Sequence, residues 1–157
     1  MVLLLRNGKW LGLLLLIAGI GAFASTGHAE YCTAKWGPKT VNGVTLQGDL
    51  AMDIHPMDTD YWGASVSSAD AVLSYVSARN QGWEACNWWS EEDWDNFSYR
   101  YYSNVVSVTG LGGFCSNCCP FFHALNVEGW FTFYGSGISE QGFAERFGDP
   151  DYGFCYP

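Results

Sequence analysis

The chain has 157 residues and a formal net charge of −9, from 16 acidic and 7 basic residues. An acidic surface repels phosphate backbones and anionic lipids, so the composition argues against nucleic-acid binding and against a peripheral membrane role. Aromatic residues make up 17% of the chain. A small domain cannot bury that many rings completely, so some are expected on its surface.

The first 29 residues have the pattern of a cleavable export signal. Two basic residues precede an apolar run over residues 11–24, which is shorter than the roughly 20 residues of a spanning helix. Small residues permit cleavage after Ala24 or Ala29, and the polar chain that follows favours Ala29. We therefore expect a signal peptide at 1–29 and one secreted or periplasmic domain at 30–157, not inserted in a membrane after cleavage. An uncleaved N-terminal anchor is the alternative.

The first elements of the mature domain are predicted to be strands. Asn42-Gly43 lies between β-branched residues, and this dipeptide favours the type I′ turn of a β-hairpin. The second strand of the hairpin is expected to run towards Ile54, with Gly48 as a bulge. Residues 55–63 are predicted to form a loop.

Three later segments are predicted to be short helices. Residues 68–80 have apolar side chains spaced by three and four, a serine cap and an acid in the first turn. Residues 90–97 begin with a serine followed by acids, and residues 139–147 resemble a third helix. The buried face of the second helix would consist of three aromatic residues: Trp94, Phe97 and Tyr101.

Two further strands are indicated by β-branched and aromatic residues, at 104–109 and 130–134. Glycines are expected to end the first strand at 110–113, to form a turn at 128–129, and to end the second strand at 135–137. This mixture predicts a small disulfide-stabilised α+β domain with antiparallel strands and two or three short helices. An all-β fold is the alternative.

All six cysteines lie in the predicted mature domain: Cys32, Cys86, Cys115, Cys118, Cys119 and Cys155. An even number of cysteines on an exported chain favours a disulfide framework. We expect Cys32 to pair with Cys155, because the termini of a domain often lie close together. Cys86 would then bond to one member of the group at 115–119, and the other two would pair with each other, preferably Cys115 with Cys118.

Redox chemistry and metal binding are the alternatives to structural disulfides at these residues. The group at 115–119 contains the two-residue spacing of a redox dithiol, and with His123 it could hold zinc. Exported thiols tend to oxidise, so disulfides are favoured and no cofactor is predicted. Asp58 and Asp60 could offer oxygen atoms to calcium, but the pattern of a known calcium loop is incomplete.

The candidate ligand-binding residues are Trp88, Trp89 and Trp94, which are interleaved with acidic and amide side chains. Flat rings beside such groups suit sugar rings, because the ring packs on C–H groups while the polar side chains bind hydroxyls. The alternative is that these tryptophans complete the core around Cys86. The expected function is that of an exported, non-catalytic domain that binds a glycan or an extracellular protein.

A hydrolase is the rival hypothesis. No motif that joins a nucleophile to its base is present, but His55 or His123 could act as a general base with Asp53 or Glu128. An envelope structural protein or an inhibitor is a third hypothesis. We assign no catalytic residue, and the sequence does not indicate an oligomeric state.

Overall fold

A computed structural model describes residues 30–54, 60–86, 89–113, 123–149 and 154–156. Seven antiparallel strands account for almost all of these residues: β1 (Glu30–Val41), β2 (Val44–Ile54), β3 (Asp60–Cys86), β4 (Trp89–Gly113), β5 (His123–Gly135), β6 (Ile138–Asp149) and β7 (Phe154–Cys155). Within the described ranges, no helix is long and apolar enough to cross a membrane. The predicted signal peptide at 1–29 lies outside them.

The predicted α+β fold is wrong, and the protein is an all-β, barrel-like sheet that is nearly closed. The three predicted helices are parts of strands: residues 68–80 belong to β3, 90–97 to β4 and 139–147 to β6. In β3, side chains alternate between the two faces of the sheet, but inner positions hold the small Ala78 and the polar Asn80. These residues hide the two-residue period that would have indicated a strand.

The strand at the centre of the sheet is β3. One of its edges pairs with β4 along nearly its whole length. Its other edge pairs first with β2, over Tyr61–Ala69, and then with β5, over Tyr75–Cys86. Neighbours on both edges hold a serine- and alanine-rich segment in extended form, so strand pairing overrides its local preference.

Two halves of the sheet diverge from β3 and face each other across the core. β1 flanks β2 on one side, while β6 and β7 flank β5 on the other. The core between them is formed by apolar side chains of β2 and β5: Leu46, Leu50, Met52, Ile54, Leu125, Val127, Phe131 and Phe133. Trp36 of β1 stacks on Phe133 with ring centroids 5.8 Å apart.

The predicted Cys32–Cys155 disulfide is confirmed, and it closes the barrel by joining β1 to β7. The two cysteines are 123 residues apart, a loop for which the chain-entropy model gives about 4–5 kcal/mol of stabilisation. Nearer the hairpin turn, Nζ of Lys39 on β1 lies 2.7 Å from Oε2 of Glu140 on β6. Cys86 is also disulfide-bonded, and its predicted partner group at 115–119 lies outside the described residues.

The hairpin prediction is confirmed. Asn42 (φ 50°) and Gly43 (φ 80°) form the turn between β1 and β2. The expected bulge at Gly48 is wrong, because the register shift of this pair lies between Trp36 and Lys39. Gly48 instead makes room for the ring of Phe131 on β5, since a Cβ atom at Gly48 would collide with that ring.

The later strands are present but longer than predicted. Residues 104–109 lie in β4 and residues 130–134 in β5. The glycines at 110–113 and at 128–129 continue their strands instead of ending them, whereas the turn that ends β5 is confirmed. Residues 60–63 of the predicted loop belong to β3.

Candidate functional site

Trp94, predicted to bind a ligand, lies inside the fold. It is 7% exposed, and its Nε1 donates a hydrogen bond to Oδ1 of Asn80 at 2.7 Å. A Cβ atom at Gly82, Gly110 or Gly112 would collide with the indole ring. These glycines allow β3 and β4 to close around the ring, as expected if tryptophan completes the core.

The other two tryptophans predicted to bind a ligand are Trp88 and Trp89. Trp88 lies outside the described residues, and the side chain of Trp89 lies outside them as well, although its backbone begins β4. Their role in ligand binding stays a prediction. Of the three tryptophans predicted to bind a ligand, Trp94 alone has a side chain that the structure describes, and that side chain is buried.

A buried polar cluster lies next to Trp94. The hydroxyl of Tyr61 donates a hydrogen bond to Asp93, and Nε2 of His123 lies 2.8 Å from Oε1 of Glu84. Burial raises the pKa of Asp93, and repulsion from Glu84 raises it further. The hydrogen bond from Tyr61 lowers this pKa but does not cancel the rise. Burial likewise raises the pKa of Tyr61. The cluster therefore joins β3, β4 and β5 at one end of the barrel.

This arrangement differs from the one that the hydrolase hypothesis predicted. His123 pairs with Glu84 and not with Glu128, and its side chain is fully enclosed. Asp53 lies elsewhere and accepts a hydrogen bond from Nε1 of Trp62 at 3.2 Å. An enclosed imidazole cannot reach a substrate without movement of the surrounding core, so the geometry favours a structural role. His55 lies outside the described residues.

Metal-binding side chains are scattered across the described part of the chain, where no three of them form a group. The predicted zinc ligands at 115–119 and the calcium candidate Asp58 lie outside that part, as does the side chain of Asp60. Asp49, close to them in sequence, is 3.5 Å from Nζ of Lys35 and also accepts hydrogen bonds from Gln47.

An exposed aromatic cluster covers the outer surface of four neighbouring strands. We call it the ring face, and it consists of seven residues: Tyr75 on β3, Phe97, Tyr99 and Tyr101 on β4, Trp130 and Tyr134 on β5, and Phe143 on β6. Five of the seven are between 38% and 65% exposed. The largest apolar patch on a protein surface is often functional, so this cluster is the candidate binding surface.

The rings of this cluster support one another. The Tyr75 ring lies at the centre, with its centroid 6.0 Å from that of Tyr99, 5.5 Å from Tyr101 and 5.9 Å from Tyr134. On the other side of the cluster, the centroids of Trp130 and Phe143 are 5.2 Å apart. Because each ring is packed against its neighbours, its side chain rotates less freely. The rings would therefore lose less conformational entropy on binding a partner than isolated side chains would.

One arginine lies at the edge of the ring face, between Phe97 and Trp130. Cζ of Arg79 lies 4.9 Å from the centroid of the Trp130 ring. Its Nε and Nη2 atoms donate to the two carboxylate oxygens of Asp95 at 2.6 and 2.5 Å. The guanidinium group holds the pKa of Asp95 below its ordinary value. This edge of the face therefore carries an ion pair.

The end of the ring face beyond this pair is acidic. Gln81 lies between Asp95 and Glu128, and Glu128 lies opposite Glu145. Burial raises the pKa of Glu128, and repulsion from Glu145 adds to the effect. Glu92 follows on β4 and accepts a hydrogen bond from Gln81. The ring face thus has an aromatic end and a negatively charged end.

The clefts of the described surface are shallow. One of them has a volume of about 480 Å³ and is lined by residues of β3 and β4: Trp62, Asn96, Thr109, Gly110 and Leu111. None of these five side chains is titratable. A smaller depression of about 210 Å³ lies in the ring face beside Arg79, Phe97 and Trp130.

The ring face was missed because β4 was interpreted as a helix. On a helix, Trp94, Phe97 and Tyr101 share one side, and all three were expected to be buried. On a strand, even and odd positions point to opposite faces, so Trp94 points into the core while Phe97 and Tyr101 point outwards. The signal that could have identified this surface is the aromatic residue at every second position from 97 to 101.

Comparison of the chain with protein-family models, with curated proteins and with solved structures finds no match. The function must therefore be argued from the site itself.

Proposed function

We propose that the protein is an exported, non-catalytic binding domain whose contact surface is the ring face, and that its partner is a protein. The observation that carries this proposal is the set of seven aromatic residues on the outer face of β4, β3, β5 and β6. The hydrophobic effect disfavours leaving so much apolar surface in water, and a partner that covers it gains that free energy.

The composition of the face favours a protein over a glycan. Tyrosine, tryptophan, phenylalanine and arginine are the residues enriched in protein interfaces, and the ring face contains all four. A glycan would need hydrogen-bonding groups between the rings, but Ser77, which lies between Tyr99 and Thr132, is only 3% exposed. This part of the face therefore offers sugar hydroxyls mainly the tyrosine hydroxyl groups at the ring edges.

The acidic end indicates the charge of the partner. Asp95, Glu128 and Glu145 lie at the rim of the aromatic patch, where charges set the rate of association and the choice of partner. With 5 basic and 16 acidic residues, the mature domain predicted at 30–157 has a net charge of −11. We therefore expect the partner to carry basic groups opposite this rim, and the association rate to fall as salt is added.

Export rests on separate observations. The leader predicted at 1–29 and the disulfide-bonded cysteines support an oxidising compartment outside the cytosol. Mass spectrometry of the protein from its source should find a mature chain that starts just after Ala24 or Ala29. A chain that retains the leader would contradict the export proposal without affecting the binding proposal.

The binding surface can be tested by site-specific cross-linking. A photo-reactive phenylalanine analogue replaces Tyr99 on the ring face, and the same analogue replaces Ser107 in the control. Ser107 is exposed on the same strand but lies opposite Val66, outside the ring face. We expect a discrete cross-linked protein only from position 99, and we expect Glu145→Lys to weaken its formation.

Equal products from both positions, or none from position 99, would contradict the proposal. A glycan array provides the second measurement. Binding to a glycan that is lost in Tyr99→Ser, without a cross-linked protein, would keep the surface but overturn the choice of a protein partner.

A further inference from the structure

Side chains on the outer surface of β3, β4, β5 and β6 form three parallel rows that cross the strands. The tyrosine row lies on β4, β3 and β5 and consists of Tyr101, Tyr75 and Tyr134. Two residues further along each strand, the floor row on β3, β5 and β6 has small or polar side chains: Ser77, Thr132 and Gln141. The next row, which we call the tryptophan row, consists of Phe97, Arg79, Trp130 and Phe143. Two rows of large side chains therefore flank a groove that crosses three strands.

The dimensions of this groove suit an extended segment. From Tyr75 to Arg79, the rise of about 3.3 Å per residue separates the tyrosine and tryptophan rows by about 13 Å. Because the rings themselves occupy about 3.5 Å of this distance, roughly 9–10 Å is left between them. An α-helix with its side chains is about 10–12 Å across and is too wide. A depression of about 210 Å³ follows the floor and tryptophan rows, and Tyr99 closes the groove at β4.

The rows of rings offer hydrogen-bond donors that have no partner in the described part of the chain. The indole N–H of Trp130 and the hydroxyls of Tyr75 and Tyr101 form no hydrogen bond with a described residue. The hydroxyl of Tyr134 accepts a hydrogen bond from Gln141 at 3.4 Å, so its own proton can still be donated. A segment with many free carbonyl oxygens and few N–H groups complements such a groove. A polyproline II segment has this property, because it has no internal hydrogen bonds and proline has no N–H.

The acidic rim specifies the charge that should lie beside the prolines. Asp95, Glu128 and Glu145 lie one row beyond the tryptophan row, at a distance of about 7 Å along the strands. Arg79 is already paired with Asp95, whereas Glu128 and Glu145 form no ion pair with any described residue. The stem of an arginine or lysine can lie along the rings while its charged head reaches these two carboxylates. A basic residue next to the groove would therefore find complementary charge.

We propose that the groove binds a proline-rich segment of the partner in the polyproline II conformation, with an arginine or lysine beside the prolines that reaches Glu128 and Glu145. Aromatic grooves suit such segments, because proline rings pack against aromatic rings and the segment has little conformational entropy to lose. Three strands span about 14 Å, which corresponds to roughly four or five residues at a rise of about 3.1 Å. This inference rests on the proposed function, since it names the part of the partner that the ring face contacts.

The test measures the affinity of the exported, disulfide-intact protein for synthetic peptides by isothermal titration calorimetry. The probe is a peptide in which a run of prolines is flanked by arginines. We expect it to bind at least about tenfold more tightly than the same peptide with alanines in place of the prolines, or with glutamates in place of the arginines. Glu145→Lys should weaken binding of the arginine peptide and strengthen binding of the glutamate peptide. The arginine peptide should also compete with the partner that is cross-linked from position 99.

Variants of the groove provide the matched controls. Thr132→Phe places a ring on the floor row and should weaken binding of the proline peptide by about tenfold. Thr132→Val keeps the size and branching of the side chain and should bind like the wild type. Tyr134→Ser removes a ring from the tyrosine row at a position that is 38% exposed, so it gives a second measurement if Thr132→Phe does not fold. Urea unfolding checks that each variant is folded.

Equal affinity for the proline and alanine peptides would overturn the proposal, and so would undiminished binding in folded Thr132→Phe and Tyr134→Ser. A protein cross-linked from position 99, together with no binding of the proline peptide, would overturn the proline-rich segment and leave the proposed function in place. The failure of this inference is therefore distinguishable from the failure of the ring face as a binding surface.

Discussion

Two aromatic regions of the molecule share the strands β3 and β4 but have opposite environments. Around Trp94, glycines close the backbone onto the ring and Asn80 accepts its hydrogen bond. On the ring face, the rings contact one another and remain open to solvent on their outer side. An aromatic cluster in the sequence therefore does not by itself indicate binding, because the face of the strand decides whether a ring is buried in the fold or exposed to solvent.

The largest contrast is expected from deleting one ring in each region. Trp94→Ala should lower the free energy of unfolding by about 3–5 kcal/mol, because it leaves a cavity and an unpaired amide at Asn80. Tyr101→Ala, at a residue that is 65% exposed, should lower it by less than about 1 kcal/mol. Urea denaturation followed by circular dichroism measures both. Similar losses for the two variants would show that the ring face also stabilises the fold.

The glycines around Trp94 provide a second contrast. Gly110→Ala should destabilise the protein by about 1–3 kcal/mol, because the added Cβ collides with the indole ring on a strand that cannot easily move. Ser107→Ala, on the exposed face of the same strand, should change stability by no more than about 0.5 kcal/mol. The same denaturation experiment applies. A neutral Gly110→Ala would mean that β4 is not closed onto Trp94.

Two carboxylates on β4 extend the contrast to pH. The pKa of Asp93, beside the interior cluster, is raised above 3.8, whereas the pKa of Asp95, on the ring face, is lowered below 3.8. Folded Asp93 holds its proton more tightly than the unfolded chain does. Its contribution to stability is therefore fully present below pH 3.8 and is lost as the pH rises through the raised pKa. For Asp95, the contribution is present above pH 3.8 and is lost as the pH falls through the lowered pKa.

Unfolding free energies measured between pH 2 and pH 8 separate these contributions, because the two carboxylates titrate on opposite sides of a dividing region at about pH 3–4. Asp93→Asn should remove part of the decline above that region and leave the acid side unchanged. Asp95→Asn should remove part of the rise on the acid side. Identical pH profiles for the two variants would contradict the assigned environments.

The smallest effect is expected at the ion pair of the ring face. Arg79 and Asp95 are both partly exposed, at 39% and 35% for their side chains, and solvent-exposed pairs contribute about 0–1 kcal/mol. Arg79→Lys loses the two-pronged hydrogen bond to Asp95 but keeps the charge. We expect less than about 1 kcal/mol of destabilisation in urea, together with weaker partner cross-linking from position 99. A loss as large as that of Trp94→Ala would show that the pair is part of the core.

Local signals in the sequence predicted some elements well. The Asn42-Gly43 turn, the strand that follows it and the closing Cys32–Cys155 bridge were all predicted, because each depends on backbone preferences or on the proximity of chain ends. The helices at 68–80, 90–97 and 139–147 were wrong. Spacings by three and four in these segments arise by chance from strands whose inner residues include serine, alanine, glycine and asparagine.

The sequence predicted that the surface carries aromatic rings, but it did not predict which residues form the candidate site. The composition indicated that some aromatic rings must be exposed, because this follows from counting residues. Which rings are exposed depends on strand parity and on pairing across four strands, so Trp94 was assigned to a surface that Tyr75, Tyr99 and Phe143 occupy. The pairing of His123 with Glu84 joins residues 39 positions apart, and no local pattern could have indicated it.

From the sequence alone come the expected export, the acidic charge, the disulfide between the chain ends and an aromatic surface, since all are properties of composition or of short segments. Tertiary structure decided the all-β fold, the enclosure of Trp94 and the position of the ring face. The physical reason is that β3 obtains its conformation from partners on both edges, and contacts between distant strands determine which side of each strand meets water.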